Sequence, residues 1–112
     1  MNVADMTGDR LLRVLATLAN PHRLRVVAAL AEQRNYVSQL ARELGISRAL
    51  LQVHLRKLQA AGLVSAVIEV SEDGKAMKFY EVEPFALELT PQTIMAAART
   101  LAADSDLEAN VR

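Results

Sequence analysis

The sequence contains no cysteine and no tryptophan. Without cysteine there is no disulfide, no thiolate metal site, no thiol redox switch and no cysteine nucleophile. Aromatic residues make up 4% of the chain, too few for the stacking platform on which single-stranded RNA is read. An excess of one charge is missing as well: 13 basic and 13 acidic side chains give a formal net charge of zero, which taken alone argues against nucleic acid. No apolar run reaches the length a membrane-spanning helix needs, so no membrane partner is expected. Met1-Asn2-Val3-Ala4-Asp5 lacks a basic stretch followed by an apolar one, so no signal peptide is expected, and the chain reads as soluble and cytoplasmic. There is no G-x-S-x-G, no H-E-x-x-H, no P-loop and no glycine-rich phosphate cradle, and an enzyme is not expected.

What is present is apolar. Hydrophobic residues account for 52% of 112 positions, enough for the core of a single small domain, with a surplus that a homodimer would use. Leu11, Leu12, Leu15 and Leu18 recur at helical spacing over about residues 8–19. Asn20-Pro21 then supplies an N-cap and a first-turn proline for a second helix to about Gln33, with Leu24, Val27, Leu30 and Ala31 expected inside. A short helix over about 37–44 carries Val37, Leu40, Ala41 and Leu44 and stops at Gly45. Ser47 caps a fourth helix that runs to about Ala61, closes on Gly62 and buries Leu51, Leu55 and Leu58.

From Leu63 the apolar period changes to two. Asp73-Gly74 suits a two-residue type I′ turn, and pairing outward from it sets Glu72 against Lys75, Val70 against Met77, Glu69 against Lys78 and Ile68 against Phe79. Thr90-Pro91 opens a last helix, about 91–103, with Ile94, Met95, Ala98, Leu101 and Ala102 on one face, and a frayed acidic tail follows. The fold class is α+β, mainly α: four helices, a hairpin and a C-terminal helix in one domain, 1–112.

Two helices joined within three residues at Gly45 and followed at once by a hairpin make a winged helix-turn-helix. With Leu51 as the buried centre, the outward face of the second helix carries Ala49, Gln52, Val53 and Arg56, with Lys57 on the flank and Ser47 and Arg48 at its start. Arg suits guanine O6/N7, Gln suits adenine N6/N7, and a serine with free helix amides suits a phosphate. His54 falls between the two faces, open to either a phosphate contact or packing. In the wing, Lys75 and Lys78 are the cations available to DNA, although Ser71-Glu72-Asp73-Gly74-Lys75 is an acidic tip.

The zero net charge hides a polarity. Residues 21–64 hold Arg23, Arg25, Arg34, Arg42, Arg48, Arg56 and Lys57 against Glu32 and Glu43, a local +5, while residues 65–112 sum to −5. Phosphate binding needs local rather than total positive charge.

Leu18-Ala19-Asn20-Pro21-His22-Arg23-Leu24-Arg25-Val26-Val27, Val37 to Ser47, and Leu51-Gln52-Val53-His54-Leu55-Arg56-Lys57-Leu58-Gln59-Ala60-Ala61-Gly62-Leu63-Val64 occur in order. Together they resemble the ArsR/SmtB-type bacterial repressors, over about residues 8–103. The resemblance implies a homodimer on double-stranded operator DNA. Helices about 8–19 and 91–103 would meet across the dyad through Leu11, Leu15, Leu18, Ile94, Ala98 and Leu101, and about 37–82 would bind DNA. It also implies an effector or partner protein. Many members sense metals through cysteine, which is absent here. A nickel or zinc site would have to be built from His22 or His54 and carboxylates such as Glu88, Asp104, Asp106 and Glu108, and no cofactor is expected. The competing reading is a protein-interaction module that works through the acidic hairpin and C-terminal surface without touching DNA.

Overall fold

A computed structural model of the chain describes residues 6–102. Its elements are α1 (Gly8–Leu18), α2 (Pro21–Glu32), α3 (Val37–Leu44), α4 (Arg48–Ala60), β1 (Val64–Val70), β2 (Ala76–Val82) and α5 (Pro91–Ala98). Five helices and a two-stranded antiparallel hairpin form a winged helix-turn-helix. The chain divides into two compact units: Val14–Pro84, and the segment up to Arg13 together with that from Phe85 onward.

Local capping chemistry sets the helix starts. Asn20 Oδ1 accepts the Arg23 amide at 3.2 Å, and Ser47 Oγ accepts the Leu50 amide at 3.1 Å. Thr90 and Thr93 cap each other reciprocally ahead of α5. Between α3 and α4 the chain turns on Gly45, at φ 67°. The Ile46 amide reaches back to the Ala41 carbonyl at 3.1 Å and the Gly45 amide to that of Arg42 at 3.3 Å. This double closure satisfies carbonyls at the end of α3 and leaves Ser47 free to start α4 at once.

In the larger unit Val14, Val26, Leu40, Leu51, Leu55, Leu58 and Leu63 are fully buried. The α2 face expected inside is corrected in part. Leu30 is buried as expected and Val27 is half-buried, but Arg23 and Val26 are buried as well, whereas Leu24 is 54% exposed and Ala31 is exposed. Arg23 faces inward against a buried partner in α4 that no hydrophobic count anticipates.

The expected hairpin register is also corrected, by one residue. Val67 faces Phe79, Ile68 faces Lys78, Glu69 faces Met77 and Val70 faces Ala76. A type I′ turn needs positive φ at both central residues. Gly74 has φ 84°, and no non-glycine residue among those described has a positive φ. The Gly74 amide bonds to the Ser71 carbonyl at 2.9 Å and the Ser71 amide to the Lys75 carbonyl at 2.8 Å. The loop is therefore the three residues Glu72-Asp73-Gly74, with glycine in the left-handed position. Glu69 and Lys78, expected opposite each other, lie on opposite faces of the hairpin.

In the smaller unit the start of α1 packs on the end of α5. The Gly8 amide donates to Thr100 Oγ1 at 2.7 Å and the Ala102 amide to Asp9 Oδ1 at 3.3 Å. A Cβ on Gly8 would come within 2.6 Å of Leu101 Cγ and collide with the Ala97 carbonyl. Helix α5 stops at Ala98 rather than near residue 103. The Thr100 and Leu101 amides bond back three residues, to Ala97 and Ala98, at 3.1 and 3.2 Å. This tightened turn ends the α-helical ladder. Residue 103 and the expected acidic tail lie outside the described residues.

Candidate nucleic-acid interface

Helix α4 buries Leu51, Leu55 and Leu58 completely. That anchorage fixes its rotation and decides what its other side presents. Ser47, Arg48, Ala49, Val53, Arg56 and Lys57 are exposed, and Gln52 is half-buried beside them. Arg48, Gln52 and Lys78 line one open groove of about 390 Å³, together with Tyr36 and Ser38 at the start of α3. The structure thus brings two residues of α4 and one of the wing together. Lys75 stands apart, exposed at the loop, where its amide is held by Ser71 Oγ at 3.2 Å. Tyr36 and Ser38 were not singled out by sequence. Their signal was their position, Tyr36 at the N-cap and Ser38 in the first turn of α3, where no side chain caps the helix.

His54 is buried at 6% exposure, so it takes the packing role. Arg23 Nη1 lies 3.4 Å from His54 Nδ1, and His22 stacks on the His54 ring with centroids 5.3 Å apart. His54 Nε2 has no hydrogen-bond partner among the described residues. Burial and then the positive charges of Arg23, His22 and Lys57 push the His54 pKa below the ordinary imidazole value. The two histidines are 32 positions apart in sequence, and no spacing rule pairs them.

The local excess of positive charge is smaller at the surface than the sequence suggests. Arg23 is buried and its Nε donates to the Thr17 carbonyl at 2.5 Å. Arg34 is held by Glu69. Arg25, Arg42, Arg48, Arg56 and Lys57 remain exposed.

The model of the bacterial regulatory proteins of the arsR family matches residues 20–66, from the cap of α2 into β1. An uncharacterized HTH-type transcriptional regulator of Methanocaldococcus jannaschii is 37% identical over 68 residues, 61% of this chain and 70% of that protein. The chain belongs to the arsR family. It is a transcriptional regulator of that family, not an enzyme. The HTH-type transcriptional regulator CmtR of Mycobacterium bovis is 38% identical over 69 residues, 62% of this chain and 58% of that protein. Among solved structures, a homodimeric winged helix-turn-helix DNA-binding domain from Mycobacterium bovis, described as a possible ArsR-family regulator, superposes with a TM-score of 0.60. It is 25% identical, and the superposition covers 90% of this chain and 84% of that one.

In this arsR-family chain the residues expected at a dyad divide by exposure. Leu11 is buried and Leu15, Leu18 and Leu101 are half-buried, while Ala98 is exposed and Ile94 is 49% exposed. Leu12, Leu89 and Met95 are exposed large apolar residues that the expected set omitted. No group of three His, Cys, Asp or Glu side chains able to hold a metal is found among the described residues. Asp104, Asp106 and Glu108 lie outside them. No helix among the described residues is long and apolar enough to cross a membrane.

Proposed function

We propose that this chain is the subunit of a homodimeric, sequence-specific DNA-binding repressor. Helix α4 enters the major groove of double-stranded operator DNA. Arg48, Gln52, Val53 and Arg56 meet base edges there, with Ala49 allowing close approach, and Ser47 and Lys57 meet phosphates. Lys75 and Lys78 reach the flanking backbone. The observation that carries this reading is the single face of α4 that holds Arg48, Ala49, Gln52, Val53 and Arg56 clear of the core while Leu51, Leu55 and Leu58 lock the helix from behind. The apolar side chains of Ile94, Met95 and Leu12, exposed in a single chain, support a second copy as partner. The homodimeric description of the Mycobacterium bovis neighbour supports the same assembly. Two copies would place their α4 helices about 34–36 Å apart on a dyad-symmetric site. With no cysteine in the chain, any signal that releases the DNA acts without a thiolate.

The test is a fluorescence anisotropy titration against duplex from the region upstream of the chain's own gene and against a scrambled duplex, at several salt concentrations. Preference for the upstream duplex, with affinity falling steeply as salt rises, is expected. Equal, salt-independent or absent binding to both overturns the reading. Reporter expression in a deletion strain then separates repression from activation.

A further inference from the structure

We propose that Arg34 positions the wing for DNA by holding its acidic face. This inference rests on the DNA reading above. A two-stranded hairpin has little stability of its own. Here the base of the hairpin is anchored in the core through Val64 and Tyr80, both buried, whereas residues 68–70 and 76–78 are exposed. Two consecutive residues after α2 tie it down. The Asn35 and Tyr80 backbones exchange hydrogen bonds of 3.1 and 2.8 Å at the base. Arg34 reaches the distal half. Its Nη1 and Nη2 donate to the two Glu69 carboxylate oxygens at 2.5 and 2.8 Å, and Nη1 lies 3.6 Å from Glu81 Oε1. Its guanidinium carbon stands 4.5 Å from the centroid of the Phe79 ring.

The register explains why one arginine can do this. Glu69 pairs with Met77, Val67 with Phe79 and Ser65 with Glu81, so Glu69, Phe79 and Glu81 share one face of the ribbon. Two carboxylates and an aromatic ring on one face form a receptor for a planar, forked cation, which lysine does not match. Lys78 pairs with Ile68 and therefore lies on the other face, where its ammonium sits 5.4 Å from the centroid of the Tyr80 ring. That is the side of the groove shared with Arg48 and Gln52. The register thus sorts the hairpin, and Arg34 holds the sorted ribbon in place. It neutralises Glu69 and Glu81, which would repel a phosphate, and keeps the Lys78 face turned to the groove. In the register expected from Asp73-Gly74, Glu69 would have neutralised Lys78 instead.

The experiment uses the full chain, its Arg34→Ala and Arg34→Lys variants, and the Lys75→Ala/Lys78→Ala pair in both the wild-type and Arg34→Ala backgrounds. Amide hydrogen exchange is followed on the free protein. Affinity is measured for the tightest duplex selected by the wild-type chain from a random library. In Arg34→Ala, β1 and β2 amides should exchange about fivefold faster while those of α2 and α4 are unchanged, and DNA affinity should fall about fivefold. Arg34→Lys should be intermediate. Removing the two lysines should weaken the wild-type chain but have no further effect once Arg34 is gone. Unchanged hairpin exchange, or a lysine effect retained in full without Arg34, overturns the clamp while leaving the DNA reading standing. Failure of the wild-type chain to select any duplex overturns the DNA reading, and with it the purpose given to the clamp.

Discussion

The rings of His22 and His54 stack with their centroids 5.3 Å apart and their planes 29° from parallel. His22 lies in the first turn of α2, His54 lies in the middle of α4, and Arg23 completes the cluster.

This cluster makes stability depend on pH. His54 is buried, and its pKa is depressed first by that burial and then by Arg23, His22 and Lys57. The folded state therefore favours neutral imidazole, and the unfolded chain takes up the proton first as pH falls. The contribution is present in full above the unfolded value of about 6.5 and is lost as pH falls below it and through the depressed folded value. Urea unfolding at a series of pH values from 8 down to about 5 should show the midpoint falling, and a His54→Leu variant should flatten that fall. Equal pH dependence in both proteins would show that His54 does not carry the effect.

Ser47 separates stability from DNA contact. Its hydroxyl caps α4 through the Leu50 amide. Ser47→Ala should cost about 1 kcal/mol in urea unfolding. Ser47→Asp should keep the cap and the stability but place a negative charge where a phosphate is proposed, so its DNA affinity should fall while its unfolding midpoint stays near wild type. An affinity equal to wild type in Ser47→Asp would remove Ser47 from the interface.

Arg48, Gln52 and Arg56 should differ in kind. Replacing Gln52 with alanine should relax preference at one base position by about 1–3 kcal/mol without changing the salt slope. Replacing Arg48 or Arg56, proposed at base edges, with alanine should relax preference at the contacted base and, because a positive charge is lost, also weaken binding to every sequence and shallow the salt slope. Titrations of each variant against single-base variants of the selected duplex, at three salt concentrations, make the assignment. A Gln52→Ala variant with an unaltered base preference would exclude Gln52 from base reading.

Gly8→Ala should be disproportionately damaging for an exchange of hydrogen for methyl at the start of a helix. The new Cβ would overlap the Ala97 carbonyl and the Leu101 side chain. Overpacking of this kind costs about 1–3 kcal/mol. Thermal unfolding should report it, and because the contact joins α1 to α5, the proposed dimer should weaken in sedimentation experiments. A Gly8→Ala protein as stable as wild type would show that α1 has room to shift.

The helices were legible in the sequence because their ends obey rules only a few residues long. Asn20-Pro21, Ser47 and Thr90-Pro91 each satisfy amides three positions away, and Gly45 closes α3 through carbonyls three to five positions back. The buried stripe of α4 was legible for the same reason: Leu51, Leu55 and Leu58 repeat at the helical period, and Arg48, Gln52 and Arg56 follow from it. Other features were not, the inward turn of Arg23 on α2 and the end of α5 at Ala98 among them. The hairpin register depended on whether Asp73 or Gly74 alone would take the left-handed conformation, and cross-strand charges favoured the wrong answer. His54 sat at an angle on its helix that served either face, until His22 and Arg23 were brought against it. Arg34 counted as a surface cation for DNA, yet it is spent on Glu69 and Glu81. The order of the helices and their capped starts follow from local residues, since capping and periodicity act within one turn of chain. Which charges meet is a property of the folded arrangement, because Arg34 and Glu69 lie 35 positions apart and their pairing exists only after the α2–α3 connection and the hairpin have been folded side by side.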